Sequence, residues 1–318
     1  MPGPSTIAVA SHSFPKHQTL RRELLVRYPA AKFNETGRPL AGEALIEFLR
    51  GCEKAITGLE RLDETVFRAV PELRIVSKYG VGLDMIDLEA ARRCGVTICW
   101  TPGVNAQGVA ELAIGFMIAL GRRMVPLAED LRAGGWRQPG GRQLSSALVG
   151  IVGCGHVGQR VARLCLAFGT HVIANDIREY PEFYRETGVE PVPLDTLLRD
   201  ADIVTLHVPL DASTRGLIGA RELASMKREA VLINTARGGI VDEDALASAL
   251  REGRLAGAAA DVFAIEPPVG SQLLSCPTFV GTPHIGASTT EAVLAMGRAA
   301  IAGLDCGPES IDLTTGCR

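Results

Sequence analysis

In each of three segments in the second half of the sequence, an apolar run is followed by a polar side chain that suits acid–base or anion chemistry. These residues are Arg237 in the segment 231–239, Glu266 in the segment 259–267 and His284 in the segment 282–286. A guanidinium can hold a carboxylate in a bidentate fork and polarise a carbonyl. An imidazole can donate or accept a proton near neutral pH, and a neighbouring carboxylate fixes its tautomer and favours its protonated form. Together these residue types suit hydride transfer at the C2 carbon of a 2-keto or 2-hydroxy acid.

Each of these side chains also has an ordinary structural explanation when it is taken alone. Arg237 could form an ion pair at a strand end, Glu266 could be a solvated loop acid and His284 could be a packed loop residue. Their shared context favours a common site, because each lies beside a glycine or proline that constrains the backbone. The carboxyl ends of parallel strands meet at one edge of an open sheet, where ligands bind. We therefore expect the three side chains to converge.

A glycine-rich motif at 153–158 follows the apolar run 147–152 and precedes an amphipathic stretch at 159–168. Its glycines, Gly153, Gly155 and Gly158, would permit a tight turn, close approach of a pyrophosphate and close packing of helix on strand. Free amides at the helix start, including those of His156 and Val157, would then face the phosphates.

The next predicted strand ends just before Asp176, about twenty residues beyond the motif, as in dinucleotide-binding units. The Asp176 carboxylate can accept both ribose hydroxyls and would repel a 2′-phosphate. The motif therefore predicts NAD rather than NADP as the cofactor, against the alternative of a structural turn with a chance aspartate.

The elements that position these residues alternate between short apolar runs and stretches with helical spacing. The predicted strands lie at 7–10, 55–57, 74–78, 96–100, 148–152, 171–175, 202–206, 230–234 and 257–262, and the first four alternate with helices at 20–28, 43–50, 64–70 and 88–94. One long helix, opened by Asn105 as N-cap, covers 105–123, and a second helical piece ends at Gly134–Gly135. This pattern predicts an α/β protein with two parallel-sheet units.

Composition limits the classes of function. A hydrophobic content of 47% in 318 residues indicates sizeable buried cores, and a net charge of -3 provides no basic field for nucleic acid or an anionic membrane. The most apolar helical run, 109–121, is too short to span a bilayer, and no secretory signal is evident. We expect a soluble, cytoplasmic protein. The eight cysteines form no CxxC pair, so we expect reduced cysteines and no metal site.

The segments above, with 78–84 (Lys-Tyr-Gly-Val-Gly-Leu-Asp), 105–113 and 205–210 (Thr-Leu-His-Val-Pro-Leu), resemble the D-isomer-specific 2-hydroxyacid dehydrogenases, nearest the short phosphoglycerate-dehydrogenase-like members. The resemblance covers most of 50–290. It implies an NAD-dependent oxidoreductase that interconverts a small D-2-hydroxy acid and its 2-keto acid. It also implies two doubly wound domains: a flavodoxin-like substrate-binding domain at 1–103, completed by 287–318, and a Rossmann NAD-binding domain at 104–286. Family members usually form homodimers through the long helix.

The resemblance also implies roles for individual residues. Arg237 would anchor the substrate, His284 would act as acid or base, and Glu266 would be its partner. Further cofactor-binding positions are His207, Val208, Pro209, Thr235, Ala236, Asp261 and Gly286, with Asp261 on the nicotinamide carboxamide and the backbone of 206–208 lining the adenine pocket. The amides of Val81 and Gly82 would form a second binding contact with the substrate carboxylate. Lys78 suits a carboxylate, a phosphate or a phosphonate, with a solvated strand-end lysine as the equal alternative.

Some features depart from the family pattern, and other functions stay open. Cys154 and His156 stand where the family more often has a small or apolar residue and then a basic one, so a neutral His156 would hold a pyrophosphate less strongly. A phosphite or phosphonate dehydrogenase is an alternative on the same fold. Formate dehydrogenase is disfavoured, because that relative pairs its histidine with glutamine and Glu266 is an acid. A dinucleotide-sensing interaction protein, similar to the corepressors on this fold, is the alternative from another class.

Overall fold

The structure is a computed structural model that describes residues 7–305. The chain forms two compact units: the first contains the residues up to Asn105 together with those from Thr290 onward, and the second is Ala106–Thr289. The sequence placed these boundaries two or three residues earlier, at 103/104 and 286/287. The outermost residues of the predicted substrate-binding domain, 1–6 and 306–318, lie outside the described residues.

Short strands and helices alternate along both units. The strands are β1 (Ile7–Val9), β2 (Lys32–Phe33), β3 (Lys54–Thr57), β4 (Ile75–Lys78), β5 (Thr97–Cys99), β6 (Leu148–Val152), β7 (His171–Asn175), β8 (Glu190–Pro191), β9 (Ile203–Leu206), β10 (Val231–Asn234), β11 (Gly257–Ala260) and β12 (Phe279–Gly281). The α-helices are α1 (Gln18–Arg27), α2 (Gly42–Leu49), α3 (Glu64–Ala69), α4 (Leu88–Arg93), α5 (Ala106–Gly121), α6 (Met124–Arg132), α7 (His156–Ala167), α8 (Pro181–Thr187), α9 (Leu194–Asp200), α10 (Ala220–Ser225), α11 (Glu243–Arg251) and α12 (Thr290–Gly303).

The first unit is a parallel sheet in the order β2-β1-β3-β4-β5, which is the flavodoxin-like order. Helices α2, α3 and α4 bury apolar side chains on one face of this sheet, and α1 and α12 on the other. Asp63 and Asp87 cap α3 and α4 by accepting the amides of Val66 and Ala90, so each helix starts at a defined residue.

The second unit is a parallel sheet in the order β12-β11-β10-β9-β6-β7-β8. Read from β8, this is the Rossmann strand order with one further strand, and the strand order reverses between β6 and β9. One face carries the core under α9, α10 and α11, and the other carries the core under α5, α7 and α8. The predicted fold class is confirmed.

The structure differs from the predicted elements mainly at the edges of the sheets. The strands β2, β8 and β12 were not predicted, because edge strands of two or three residues carry no readable alternation. The helix predicted over 105–123 ends at Gly121, and Arg123, in the left-handed region at φ 52°, separates it from α6. Among the described residues, no helix has the length and apolar character needed to cross a bilayer.

Candidate active site and dinucleotide site

The glycine motif between β6 and α7 makes a turn with almost no space for side chains at two of its positions. Gly153 has φ 93°, and a Cβ built on it would lie 2.7 Å from the backbone of His207. A Cβ on Gly158 would lie 2.0 Å from the carbonyl oxygen of Gly153. Gly155 is different, because nothing lies within 4 Å of its Cβ position. Gly153 and Gly158 are therefore required by packing, and Gly155 faces open space.

The start of α7 presents unpaired backbone donors beside this open space. The amides of Gly155, His156, Val157 and Gly158 donate to no group within residues 7–305. Such amides and the positive end of the helix dipole attract anions. These free backbone amides, beside the open space at Gly155, fit the pyrophosphate of a dinucleotide.

Asp176, which follows β7, is fixed at the mouth of the glycine turn. One carboxylate oxygen accepts the Cys154 amide at 2.6 Å, and the other accepts the Arg178 amide at 2.8 Å. Since a carboxylate offers about four lone-pair sites, acceptor positions stay available for ribose hydroxyls. The carboxylate lies where the sequence placed it, next to the backbone that would carry the phosphates.

The unusual Cys154 in the motif does not reach the ligand side of the turn. Its side chain is buried in the core of the second unit and contacts the Tyr184 hydroxyl. Burial raises the pKa of the Cys154 thiol to about 11, so the thiol stays protonated. His156 at the next variable position is exposed. The departure at Cys154 therefore leaves the phosphate-facing surface to the backbone.

His207 lies at the carboxyl end of β9, beside the point where the strand order reverses. Its amide donates to the Val152 carbonyl at 2.7 Å, while Nε2 and Nδ1 lie 2.9 and 3.5 Å from the hydroxyls of Thr205 and Thr235. Burial lowers the pKa of His207 to about 3, so the ring is neutral at physiological pH. The sequence assigned cofactor contacts to the backbone here, and the side chain adds a link between the ends of β9 and β10. The neighbouring Val208 packs against Gly153, with Cγ1 2.8 Å from the position a Cβ would take.

His284 and Glu266, after β12 and β11, are hydrogen-bonded. Nδ1 of His284 lies 2.9 Å from one carboxylate oxygen of Glu266, and the other oxygen accepts the Phe263 amide at 3.1 Å. Both side chains are partly exposed, at 45% and 39%. Because Nδ1 is occupied, the opposite ring nitrogen, Nε2, is the one left to exchange a proton with a ligand.

The backbone around His284 is held by Asp261, which is 1% exposed. The Asp261 carboxylate accepts the Thr282 hydroxyl at 2.5 Å and the amides of Ile285 and Gly286 at 2.7 and 2.8 Å. His284 itself lies in the left-handed region at φ 54°, and its amide donates to the Asp261 carbonyl at 2.9 Å. Asp261 therefore fixes the segment that carries the histidine, which leaves about one lone-pair site for the predicted carboxamide contact.

Arg237 follows β10 in a turn braced by Asn234. The Asn234 side chain accepts the Ala236 amide at 3.0 Å and donates to the Arg237 carbonyl at 2.8 Å. A Cβ on Gly238 would lie 2.0 Å from the backbone of Phe263, so this turn touches the loop that holds Glu266. The adjacent strands β10, β11 and β12 thus bring the segments of Arg237, Glu266 and His284 to one edge of the sheet.

In the first unit, Lys78 ends β4 and is buried, at 5% exposure, with Nζ donating to the Gly58 carbonyl. The alternative of a solvated strand-end lysine is therefore wrong. Val81 and Gly82 are half-buried, and their amides donate to no described group. These two donors are suited to bind an anion.

The sequence analysis did not identify the residues that hold these segments in place through hydrogen bonds. Besides Asn234 they include Glu243, which accepts the Ala264 amide at 2.6 Å, and Thr282 on Asp261. The strand-end position of Asn234, beside the predicted Arg237, was the one available signal. Within residues 7–305, no group of three or more histidine, cysteine or acidic side chains is placed to hold a metal ion.

Alanine substitutions at Gly155 and Gly158 should separate binding from packing. Gly158→Ala forces a Cβ against the Gly153 carbonyl and should lower the free energy of unfolding by about 1–3 kcal/mol. Gly155→Ala has room in an extended backbone and should change stability by less than about 0.5 kcal/mol. It should nevertheless weaken NADH binding about tenfold or more, because the added methyl group fills the approach to the amides. A tenfold change corresponds to about 1.4 kcal/mol of binding free energy. Denaturant unfolding measures the free energy of unfolding, and fluorescence titration measures NADH affinity. Unchanged NADH affinity in Gly155→Ala would contradict the assignment of this turn as the pyrophosphate site.

His207 should make the protein sensitive to acid. Below pH 6.5 the unfolded chain binds a proton at His207 that the folded protein does not bind until about pH 3, so stability falls as the pH is lowered through this window. The loss is at most about 2 kcal/mol between pH 6.5 and about pH 5. His207→Gln should flatten the pH dependence of the free energy of unfolding over this range, and His171→Gln at an exposed position serves as the control. Identical slopes for all three proteins would refute the effect.

Residues 114–286 match the model of the "D-isomer specific 2-hydroxyacid dehydrogenase, NAD binding domain" family, which is more than half of the 318 residues. A glyoxylate reductase of Thermococcus onnurineus is 40% identical over 265 residues, covering 80% of this chain and 79% of that protein. A hydroxypyruvate reductase of Thermotoga maritima is 42% identical over 71% of this chain and 75% of that protein. The solved structure of a glyoxylate reductase from Paecilomyes thermophila has a TM-score of 0.86 at 29% identity, covering 97% of this chain and 96% of that chain. The chain therefore belongs to the D-isomer-specific 2-hydroxyacid dehydrogenases and is an NAD-dependent enzyme of that family.

Proposed function

We propose that this dehydrogenase reduces a short 2-keto acid, glyoxylate or hydroxypyruvate, to the D-2-hydroxy acid. The observation that carries the proposal is the His284–Glu266 hydrogen bond at 2.9 Å, in direct backbone contact with the Arg237 turn. An acid–base pair and the turn that carries Arg237, at the strand edge that also carries the glycine turn, support reduction of a keto acid. The names of the two curated relatives support the substrate class.

Each residue of this group has one role in the proposed reaction. The Arg237 guanidinium holds the substrate carboxylate and polarises the C2 carbonyl. Nε2 of His284 donates a proton to the carbonyl oxygen as negative charge develops there, and takes it back in the oxidative direction. Glu266 holds Nδ1 and stabilises the protonated ring. Bound NADH supplies the hydride.

The cofactor is held mainly by backbone in this proposal. The amides of Gly155 to Gly158 bind the pyrophosphate, and Asp176 accepts the ribose hydroxyls. The segment of His207, Val208 and Pro209 lines the adenine side. On the nicotinamide side, the cofactor contacts are those predicted at Thr235, Ala236, Asp261 and Gly286. In the first unit, the free amides of Val81 and Gly82 bind a carboxylate oxygen.

A homodimer remains a proposal, supported by apolar surface on the second unit. Helix α6 buries none of its side chains, and Met124 and Leu131 on it are 54% and 58% exposed. Trp136, just beyond the helix, is 79% exposed. Exposed apolar side chains gathered on one element are typical of a contact surface.

NADH consumption across a panel of 2-keto acids tests the proposed function. We expect glyoxylate or hydroxypyruvate to give the highest kcat/KM, above pyruvate and phosphohydroxypyruvate, with a D product on chiral chromatography. NADPH should be the poorer cofactor, and Asp176→Ala should narrow that difference by removing the repulsion of a 2′-phosphate. Phosphite with NAD tests the alternative substrate. Turnover of phosphite alone would replace the proposal, and turnover of no substrate would favour the interaction protein.

Substitutions at His284 and Glu266 should show that the two act as a unit. His284→Ala should lower kcat by about 10²–10⁴-fold while NADH binding survives, because the glycine turn is unchanged. Glu266→Gln keeps a hydrogen bond to the ring but removes its negative charge, so the decline of reduction rate with rising pH should begin at a lower pH. The double variant should be little worse than His284→Ala. Multiplicative losses, or a wild-type pH profile for Glu266→Gln, would show that Glu266 is not the partner.

A further inference from the structure

The loop 263–267, which carries Glu266, is attached to the rest of the second unit at few points. Its last four residues are exposed, and Phe263 at its start is buried. The Phe263 amide donates to Glu266 itself at 3.1 Å, so this hydrogen bond shapes the loop without anchoring it. The Ala264 amide donates to a carboxylate oxygen of Glu243 at 2.6 Å. In the described part of the chain, this is the one hydrogen bond from an amide of the loop to another element.

Glu243 is the first residue of α11, and hydrogen bonds on both sides of it fix the backbone. The Ile218 amide donates to the Ile240 carbonyl at 3.1 Å, and the Ile218 carbonyl accepts the Asp242 amide at 3.0 Å. Asp242 also caps α11, because its carboxylate accepts the Ala245 amide at 3.0 Å. The chain therefore presents the Glu243 carboxylate to the loop from a defined position.

The segment 237–243, which leads into Glu243, contacts the loop at a second point. A Cβ built on Gly238 would lie 2.4 Å from the amide nitrogen of Ala264. The two backbones are therefore in direct contact beside the amide that Glu243 accepts. Because Arg237 precedes Gly238 in the chain, one segment both carries the guanidinium and holds the loop of the histidine's partner.

We propose that Glu243 is a positioning residue that keeps Glu266 on Nδ1 of His284 by holding the loop 263–267. In the proposed function, on which this inference rests, Nε2 of the same ring exchanges the proton. A carboxylate that accepts a backbone amide forms a charge-assisted hydrogen bond, which is stronger than one between neutral groups. Loss of this contact frees an exposed loop, and a misplacement of about 1 Å can lower a rate about 100-fold. Glu243 therefore acts on the rate through Glu266 rather than on the binding of either ligand.

Alanine and glutamine substitutions at Glu243 separate the hydrogen bond from the charge. Glu243→Ala should lower kcat for the keto acid about tenfold or more, because Glu266 then spends less time on the imidazole. The KM values for the keto acid and NADH should stay within about threefold, since the Arg237 turn and the glycine turn are unchanged. Glu243→Gln keeps an oxygen that accepts the Ala264 amide, so it should recover kcat to within about threefold of wild type.

Asp244→Ala is the matched control, because Asp244 is an exposed acid in the same first turn of α11. If it loses as much kcat as Glu243→Ala, the effect belongs to the helix dipole and the proposal is overturned. Equal losses in Glu243→Gln and Glu243→Ala would assign the effect to the charge, with the same consequence. In a Glu266→Ala background no carboxylate remains to be positioned, so adding Glu243→Ala should lower kcat less than about twofold further. Multiplicative losses would show that Glu243 does not act through Glu266.

Hydrogen exchange of the loop 263–267, followed by mass spectrometry, tests the contact without any turnover. The Ala264 amide should exchange about tenfold faster or more in Glu243→Ala, while Glu243→Gln and Asp244→Ala keep a rate close to that of wild type. An unchanged exchange rate in Glu243→Ala would overturn the positioning role even if kcat falls. If the wild-type protein reduces no keto acid, the proposed function fails, and the exchange rates still decide whether Glu243 holds the loop.

Discussion

The geometry of the candidate active site depends on one buried carboxylate, that of Asp261. It takes hydrogen bonds from Thr282, Ile285 and Gly286, and these contacts enclose His284 in the chain. A carboxylate that is 1% exposed needs such donors, so the segment can leave it only at the cost of an unsatisfied charge. The strained φ of 54° at His284 is stabilised in the same way. Asp261 thus fixes the backbone that carries the imidazole, and Glu266 holds the ring itself.

In both units, charged side chains hold a turn in place while nearby backbone amides stay available to a ligand. In the second unit, Asp176 accepts the Cys154 amide, while the amides of residues 155–158 donate to no group within residues 7–305. In the first unit, Glu60 and Lys78 hold Gly58, while the amides of Val81 and Gly82 donate to no group in the described part of the chain. Charged side chains fix the turns, and neutral backbone donors are left where an anion would bind. Fixed dipoles of this kind need no reorganisation when a ligand arrives.

Local patterns explain what the sequence could predict. Buried strands, the glycine turn and the strand-end position of Arg237 each leave a signal within a few neighbouring residues. The contacts of Asp261 with Gly286 and of Glu243 with Ala264 join residues more than twenty positions apart, so no local pattern reports them. The burial of Lys78 was likewise invisible, because its Nζ donates to the carbonyl of Gly58, which follows a different strand. The edge strands β2, β8 and β12 are too short to show an alternation of apolar and polar residues.

Two of the side chains around the glycine turn carry no charge at physiological pH. His207 is neutral, since burial lowers its pKa to about 3, and Cys154 is a protonated thiol, since burial raises its pKa to about 11. In the proposed cofactor site, the pyrophosphate binds the amides at the start of α7, where the helix dipole favours an anion. Asp176 contributes a formal negative charge at this turn, and in the proposed site it faces the ribose. Dipoles favour an anion at the turn while the carboxylate opposes a further phosphate beside it, and this arrangement suits NAD over its phosphorylated form.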